Sequence, residues 1–299
     1  MSDCSLCGSG EAWSLRWSAD PVVQQWRIAH GDSREYDWRL CRRCGNAFPS
    51  FQPDLALLSF FWNRDRQDAD TPGGSDDAIW DRRKQATRKQ AARSFGVFAG
   101  LCGGAPPRRL LDIACGLGET VKYFADRGWD AFGIDADPAL LRFHKEIGIR
   151  TEIAQIENAK IEGTFDIILI AHAIYFITQP RSFLESLKPR LNAGGSLCIV
   201  LADFMASDDR GLPGYAHSFF PTAGSMRYLL ALAGYETILT RTISGSIYHA
   251  ARPASVALPR VNPRLIRLGY QAKGLRYALF GRPHLALRQW AKAVLSWIR

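Results

Sequence analysis

The sequence contains no apolar run of the roughly 18 residues that a membrane-spanning helix needs. Its first residues, MSDCSLCG, have neither the basic segment nor the apolar core of a secretory signal peptide. These two absences predict a cytoplasmic protein. Since 47% of its 299 residues are hydrophobic, the chain can bury one large core and a smaller appendage.

Acidic residues are absent after Glu236, whereas residues 237–299 contain 11 Lys or Arg. The whole chain has a formal charge of +9, from 38 basic and 29 acidic residues. Residues 1–236 therefore hold 27 basic and 29 acidic residues, a net charge of about −2. The excess positive charge thus belongs to a C-terminal tail.

The cysteines argue against a disulfide framework, because their number is odd and four of the seven form two CxxC motifs. Cys4 and Cys7 form the first motif, Cys41 and Cys44 form the second, and a glycine follows each motif. Two such knuckles can each hold one side of a tetrahedral ion. We therefore expect these four residues to bind a structural Zn²⁺.

Residues 1–52 are predicted to form a zinc ribbon. Strands are expected over Glu11–Trp17, Val22–Ile28 and Glu35–Leu40, which are rich in Trp and in alternating residues. So small a core would not fold firmly without its ion. The pattern leaves open whether the ribbon binds RNA, a protein or a substrate, or only braces the next domain.

Residues 53–77 are predicted to be a linker. Phe48–Asp54 is expected to leave the ribbon in an extended form, and Leu55–Trp62 is expected to be a short helix. Arg64–Asp77 is polar, contains the turn-forming residues Thr71–Ser75, and is predicted to be a flexible loop. Trp62 and the residues after it could cover a binding site as a lid.

The stretch from Leu110 to Pro138 is the most informative part of the chain. Leu110–Ala114 has the apolar run of a strand buried on both faces, and Cys115–Gly118 is a glycine turn. Glu119–Arg127 has helical spacing, and a second strand over Ala131–Ile134 ends at Asp135. This pattern predicts the first half of a nucleotide-binding α/β fold, with Asp135 placed to take two ribose hydroxyls.

The bound nucleoside is not expected to be a dinucleotide. Such a site would have a third glycine where Val121 stands, and Glu119 puts negative charge where a pyrophosphate would bind. Asp112 and Glu119 instead suit a ligand with positive groups. S-adenosylmethionine (AdoMet) has an ammonium group, a sulfonium and no phosphate.

At these residues the chain resembles the class I AdoMet-dependent methyltransferases, whose motif reads roughly (D/E)xGxGxG. Asp112, Gly116 and Gly118 match this motif, and Ala114 replaces its first glycine. The stretch 187–201 also resembles the family's "LKPGG" turn and the strand that follows it. The resemblance implies a Rossmann-like α/β sandwich over residues 78–250.

The resemblance also implies an AdoMet site. Its residues would come from the glycine motif, from the acid that binds the ribose and from the positions that contact the adenine and its rim. The end of the fourth strand would lie beside the transferable methyl group. In this chain they are Asp112, Ala114, Cys115, Gly116, Gly118, Asp135, Ala136, Gln155, Ile156 and Ala171.

The remaining elements of residues 78–250 follow from periodicity and turn signals. Helices are expected over Ala78–Phe98, Arg181–Leu191 and Met226–Gly234, with Asn192–Gly195 capping the second. Further strands are expected over Thr151–Ile153, Phe165–Ile170, Ser196–Leu201 and Tyr235–Thr240.

Methyl transfer is an in-line displacement, so the protein mainly positions the reactants and supplies a base where the acceptor must lose a proton. His172, Tyr175 and His217 are the candidate bases. The chain lacks the (N/D)PP(Y/F) turn that enzymes methylating exocyclic amines of bases often carry after the fourth strand. This absence counts against that reaction.

Residues 251–299 are predicted to form a basic amphipathic helical tail, with helices over Arg260–Phe280 and His284–Arg299. Basic residues, Trp and no acids suit a helix on an anionic membrane surface. The same pattern also suits a helix packed on the body with its arginines outward. A third use would be to hold an anionic acceptor.

A ribbon followed by this body resembles bacterial methyltransferases of sugar and cell-surface glycan pathways. The expected acceptor is therefore a sugar, glycan or glycolipid, acted on in the cytoplasm or at the inner membrane face. Two alternatives stay open: an rRNA methyltransferase with a zinc-binding RNA module, and a non-catalytic AdoMet-binding adaptor. The near-neutral body makes a nucleic-acid partner the weaker expectation.

Overall fold

Two β-sheets organise the residues that this computed structural model describes, which are 3–18, 29, 31, 37–50, 76–101, 107–155, 161–203 and 217–276. The first sheet is antiparallel and has the order β1 (Ala12–Ser18), β2 (Asp37–Cys41), β3 (Ala47–Pro49). Two of the predicted ribbon strands are thereby confirmed. The third, Val22–Ile28, lies outside the described residues.

The second sheet has seven strands in the order β6-β5-β4-β7-β8-β10-β9. The strands β4 to β8 run parallel to their neighbours, and β10 is antiparallel to both β8 and β9. Their bounds are Arg109–Ile113 (β4), Asp130–Asp135 (β5), Thr151–Ile153 (β6), Phe165–Ala171 (β7), Leu191–Ala202 (β8), Tyr235–Ile243 (β9) and Ser246–Pro253 (β10). This topology confirms the predicted Rossmann-like fold class.

Six α-helices accompany the sheets in the described part of the chain. They are α1 (Asp76–Phe98), α2 (Glu119–Ala125), α3 (Leu141–Ile147), α4 (Pro180–Leu187), α5 (Ala223–Leu232) and α6 (Pro263–Arg276). The predicted second tail helix, the short helix Leu55–Trp62 and the lid at Trp62 lie outside the described residues.

One predicted helix was wrong over its last four residues. The segment Arg181–Leu191 is helical only as far as Leu187, after which Lys188–Arg190 forms a 3-10 turn and β8 begins at Leu191. Pro189 explains the change, because proline has no N–H to continue the helical hydrogen bonds and its ring clashes with the carbonyl of the preceding turn. Asn192–Gly195 is therefore not a helix cap but part of β8, with positive φ at Gly194 alone.

The central strands are covered on both faces, as their continuous apolar sequences predict. Along β7, Ile167 and Leu169 enter one core cluster, whereas Ile168 and Ile170 enter the other. The cluster containing Ile167 is closed by α1 and α2, and the second by α4, α5 and the ribbon. Burial on both faces fixes the position of the carboxyl end of β7. The candidate site lies at that end.

The strand order places that site. The chain moves outward from β4 to β5 and β6 on one side, and then returns to β7 and β8 on the other. The switch between β4 and β7 opens a crevice at the carboxyl ends of the parallel strands. The loop after β4 and the residues after β7 both lie at this edge.

Two backbone hydrogen bonds join the ribbon to the α/β body. The amide of Phe220 donates to the carbonyl oxygen of Ala47 at 2.7 Å, and the amide of Ala47 donates back to Phe220 at 3.3 Å. Tyr228 of α5 lies beside the guanidinium of Arg43 in the second knuckle and raises the pKa of that group. One apolar cluster therefore runs from the ribbon into the body.

Within the described ranges, none of the helices is both long enough and apolar enough to cross a bilayer.

Candidate active site

The glycine turn after β4 has left-handed backbone at three alternating positions. Ala114, Gly116 and Gly118 have φ angles of 57°, 56° and 79°. Left-handed backbone costs an L-residue about 1–2 kcal/mol, which explains why glycine suits these positions. Ala114 adopts it nonetheless, so the alanine that replaces the first glycine of the motif carries backbone strain.

Asp135 ties this loop to the end of β5. One carboxylate oxygen accepts from the amide of Gly116 at 2.8 Å, and the other accepts from the amide of Asp137 at 3.0 Å. A carboxylate offers about four lone-pair positions, so these bonds are compatible with a further role toward ribose hydroxyls. The structure places Asp135 at the expected edge of the sheet.

Asp112 is the most unusual group of the site. It is 2% exposed on β4, and its Oδ1 atom has no hydrogen-bond partner among the described residues. Burial, together with the nearby Asp135, raises the pKa of the Asp112 carboxyl to about 8. A buried carboxyl of this kind is costly without a partner, and a cationic ligand would satisfy it. AdoMet fits this requirement.

Glu119 does not share that property. Its carboxylate is buried at the start of α2 and accepts a hydrogen bond of 2.9 Å from Nε of Arg88 on α1. That Glu119 offers its charge to a ligand stays a prediction, and Arg88 already offsets part of this charge.

Cys115 packs the glycine loop against β5. Its amide donates to the carbonyl oxygen of Ile134 at 3.0 Å. Its side chain faces Gly133, where a Cβ atom would lie 2.7 Å from the sulfur. Burial raises the pKa of this thiol, so it packs as an apolar group.

His144 is a residue that the sequence reasoning missed. It is 1% exposed on α3, and its ring nitrogens lie 2.7 Å from the carbonyl oxygen of Gly116 and 3.0 Å from the hydroxyl of Thr151. Both contacts are satisfied when Nε2 donates to the carbonyl and Nδ1 accepts from the hydroxyl. No sequence signal indicated this, since a lone histidine on a helix is normally a packing residue.

The residues predicted to surround the adenine lie at the rim of the crevice. Ala136 follows Asp135 and is exposed, and Gln155 is also exposed. The amide of Ala154 donates to the carbonyl oxygen of Asp135 at 2.9 Å, so Gln155 follows directly on a contact with β5. Ile156 lies outside the described residues.

Ala171 and His172 end β7 on the other side of the crevice. His172 has a φ angle of 55°, and its amide donates to the carbonyl oxygen of Val200 at 2.7 Å. Strained backbone of this kind clusters at functional sites. Burial lowers the pKa of its imidazole, which is therefore neutral at pH 7.

The other two candidate bases meet in an aromatic cluster. The ring of His217 lies 4.4 Å from that of Tyr175 and 4.9 Å from that of Phe176, and Phe220 stacks on Tyr175 at 5.8 Å. Burial lowers the pKa of His217 to about 3 and raises the pKa of the Tyr175 hydroxyl. A group with a pKa near 3 is a weak proton acceptor at pH 7.

The four predicted metal ligands converge in the ribbon. Their sulfur atoms all lie within 4.8 Å of one another, with Cys4 and Cys44 at 3.6 Å and Cys7 and Cys41 at 3.5 Å. A tetrahedral ion with bonds of about 2.3 Å would space its sulfurs by about 3.8 Å. The donor set and its spacing therefore fit Zn²⁺.

The two knuckles share one backbone pattern. The amides of Cys4 and Cys41 donate to the carbonyl oxygens of the residues five positions on, Ser9 and Asn46. Gly8 and Gly45 donate back to the first cysteine of their motif at 2.8 and 3.1 Å. Both glycines have positive φ, 69° and 68°, as the tight turn requires.

Comparison with known proteins agrees with this geometry. Residues 111–199 match the sequence family described as "Methyltransferase domain". The ubiquinone biosynthesis O-methyltransferase of Acinetobacter baylyi is 26% identical over 168 residues, which cover 52% of this chain and 62% of that protein. An uncharacterized protein of Mycobacterium tuberculosis is 32% identical over 146 residues, which cover 46% of this chain and 49% of that protein.

A solved structure shows the same fold. A chain from the complex between the Haloferax volcanii Trm112 methyltransferase activator and a methyltransferase aligns with a TM-score of 0.50 and 11% identity. The alignment covers 61% of this chain and 97% of that chain.

Residues 111–199 are thus similar to a methyltransferase domain, and the strand order around the site is that of a Rossmann-like methyltransferase fold. The chain spans 49% to 62% of the length of these curated relatives.

Proposed function

We propose that this protein transfers the methyl group of AdoMet to a sugar, glycan or glycolipid. The observation that carries the first part is the buried Asp112 carboxyl beside the Ala114–Gly118 loop. Next to it lies Asp135, at the position of a ribose acid. The site thus suits a nucleoside with positive charge and no phosphate.

When bound, AdoMet would supply a methyl group on a sulfonium, which is already activated for in-line displacement. Asp112 would face a positive group, and Asp135 would hold the ribose. The residues proposed to border the adenine are Ala136, Gln155 and Ile156. Ala171 would lie beside the methyl group, at the end of β7.

We assign the role of general base to His172. It follows the strand end directly and is only partly buried, whereas His217 is 6% exposed among aromatic rings. Burial lowers the pKa of both imidazoles, and that of His217 falls to about 3. His172 would therefore take the proton of an acceptor hydroxyl more readily.

Tyr175, Phe176, His217 and Phe220 would form the wall against which the acceptor lies. The C–H face of a sugar ring packs well on aromatic rings, which supports a sugar-containing acceptor. The Acinetobacter relative is named as an O-methyltransferase, and this supports oxygen as the acceptor atom.

The ribbon is proposed to bind Zn²⁺ through Cys4, Cys7, Cys41 and Cys44, and to brace that wall. Its strand β3 holds Phe220 by two backbone bonds, and Phe220 stacks on Tyr175. Loss of the ion should therefore reach the acceptor side of the site. Within the part of the chain that the structure describes, no backbone hydrogen bond joins the Ala114–Gly118 loop to the ribbon.

The acceptor class is tested by measuring formation of S-adenosylhomocysteine by the full-length, zinc-loaded protein. Nucleotide sugars, lipid-linked sugars and rRNA are offered separately, and Asp112→Asn serves as the inactive control. Turnover with a sugar or glycolipid supports the proposal. Turnover with rRNA alone would move the protein to the RNA-modifying alternative, and AdoMet binding without any turnover would indicate an adaptor.

The zinc proposal is tested by metal analysis and thermal melting of Cys44→Ser, with Cys198→Ala as a control that removes another buried thiol. We expect about one zinc per parent chain and much less in Cys44→Ser, with a melting temperature lower by at least about 5 °C. An unchanged metal content in Cys44→Ser would rule out this site.

A further inference from the structure

The inner face of α6 is anchored on the ribbon. Ile266 approaches the second knuckle so closely that a Cβ atom at Gly45 would lie 2.3 Å from its Cδ1 atom. The guanidinium of Arg267 lies 5.1 Å from the ring centre of Trp13, and Tyr270 is 1% exposed. The helix is therefore held against the protein along one side.

The outer face of the same helix is apolar and open. Leu265, Leu268 and Leu275 are exposed by 64%, 59% and 62%, and Ala272 between them is also exposed. Spacings of three and seven residues place these side chains on one face of a helix. Leu258, just upstream, is 42% exposed.

This concentration is specific to the tail. Six large apolar side chains are clearly exposed within the described ranges, and the four just named lie between residues 258 and 275. The other two are Leu141 and Ile238, and they are the least exposed, at 37% and 38%. An exposed apolar stripe of this kind marks an interaction surface.

The charge around the stripe indicates its partner. Residues 237–299 carry 11 basic residues and no acid, and Arg260 and Arg264 beside the stripe are exposed. Anionic lipid attracts such a segment, and leucines can enter the boundary between the headgroups and the acyl chains.

We propose that the outer face of α6 docks on an anionic lipid surface, with Leu265, Leu268 and Leu275 inserted and the flanking arginines beside lipid phosphates. A nucleic acid would use the basic residues but would leave the leucines exposed. A second copy of the chain would place one basic tail against another, since a two-fold interface brings the same surface together. A lipid surface satisfies both the charge and the leucines.

The experiment uses the full-length protein and two kinds of vesicle, one of phosphatidylglycerol mixed with phosphatidylcholine and one of phosphatidylcholine alone. Binding is measured by flotation and titration, without acceptor or AdoMet, so the result is independent of the proposed methyl transfer. We expect the parent protein to bind the anionic vesicles at least ten-fold more tightly and to be released by high salt.

Two variants and one control variant locate the surface. Leu265→Ser/Leu268→Ser/Leu275→Ser should weaken binding to anionic vesicles at least ten-fold, whereas Ile238→Ser, on β9 of the body, should bind as the parent does. Arg260→Gln/Arg264→Gln should weaken binding and reduce its dependence on salt. Melting temperature and zinc content verify that each variant is folded.

Several results would overturn the proposal. The parent protein could ignore anionic vesicles, or the triple leucine variant could bind them as the parent does. Light scattering could instead show a dimer that the leucine substitutions dissociate, without vesicle binding. Tight RNA binding in place of vesicle binding would point to the nucleic-acid partner.

Discussion

The Nε2 atom of His144 lies 2.7 Å from the carbonyl oxygen of Gly116, so a side chain of α3 fixes the turn on which AdoMet is expected to lie. Its other ring nitrogen is 3.0 Å from the hydroxyl of Thr151 at the start of β6. The imidazole thereby joins the glycine loop, a helix and an edge strand. It acts on the loop as a positioning residue and is not required to touch the ligand.

His144→Phe should weaken AdoMet binding about ten-fold, because the loop loses a partly buried hydrogen bond worth about 1.4 kcal/mol. Isothermal titration calorimetry measures this directly. His144→Gln, which can still donate to the Gly116 carbonyl, should recover most of the affinity. If both variants bind AdoMet as the parent does, the bond to Gly116 has no part in ordering the site.

Asp112→Asn should weaken AdoMet binding and remove its pH dependence. Because the pKa of the Asp112 carboxyl is raised to about 8, the group is protonated at pH 6 in the empty site. A cationic ligand needs the ionised form, so the parent's affinity should rise between pH 6 and pH 8 and then level off. Titrations at several pH values check this, and a flat parent profile would contradict the assignment.

The same substitution should stabilise the empty protein at pH 8. A carboxyl whose folded pKa lies above its unfolded value of about 3.9 loses stability as pH rises through that window. The cost is complete only above pH 8, so the gain in Asp112→Asn should be larger at pH 8 than at pH 5. Melting curves at the two values measure the difference, and an equal gain at both would refute the link to ionisation.

Much of this domain could be predicted from the sequence, because its signals are local. Buried strands are visible as apolar runs. The glycines of the loop from Ala114 to Gly118 indicate the positive φ angles that its backbone adopts. Both CxxC knuckles were likewise visible as spacing alone. The predicted motif, ribose acid and metal ligands therefore lie where a short-range pattern places them.

The missing parts depend on contacts between distant residues. The contact between His144 and Gly116 joins residues that are 28 positions apart in the sequence. The hydrogen bond between Arg88 and Glu119 joins residues that are 31 positions apart. The position of the ribbon on the body depends on two backbone hydrogen bonds between Ala47 and Phe220. The periodicity of a sequence does not indicate which distant groups the fold brings together. Strand β8 begins at Leu191, before the predicted start at Ser196, because Leu191 pairs with Phe165 of β7.

His172→Ala should lower kcat at least about 100-fold and leave AdoMet affinity unchanged, since a general base contributes roughly that factor. His217→Ala should instead raise the acceptor KM, because it removes part of the aromatic wall. The two variants are compared by steady-state kinetics with the acceptor found active. A larger loss of kcat in His217→Ala than in His172→Ala would reverse the two roles.

Ala114→Gly should stabilise the protein by about 0.5–1 kcal/mol. The left-handed backbone at Ala114 costs about 1–2 kcal/mol, and the added chain entropy of glycine in the unfolded state offsets part of the gain. Urea unfolding measures the change, and AdoMet affinity should be retained because the path of the loop is unaltered. A destabilised Ala114→Gly variant would show that the alanine methyl group makes a contact worth more than the strain.

Gly45→Ala and Gly8→Ala separate the strain of a knuckle from its contact with α6. Both glycines have nearly the same positive φ, but a Cβ atom at Gly8 meets nothing within 4 Å, whereas one at Gly45 would lie 2.3 Å from Ile266. Gly8→Ala should therefore cost about 1–2 kcal/mol of unfolding free energy from backbone strain alone. Gly45→Ala should cost about 1–3 kcal/mol more, since Ile266 or the helix must shift.

Denaturant unfolding compares the two variants, and Ile266→Ala in the Gly45→Ala background should recover part of the extra loss. Equal costs at the two glycines would mean that α6 does not pack on the ribbon in solution.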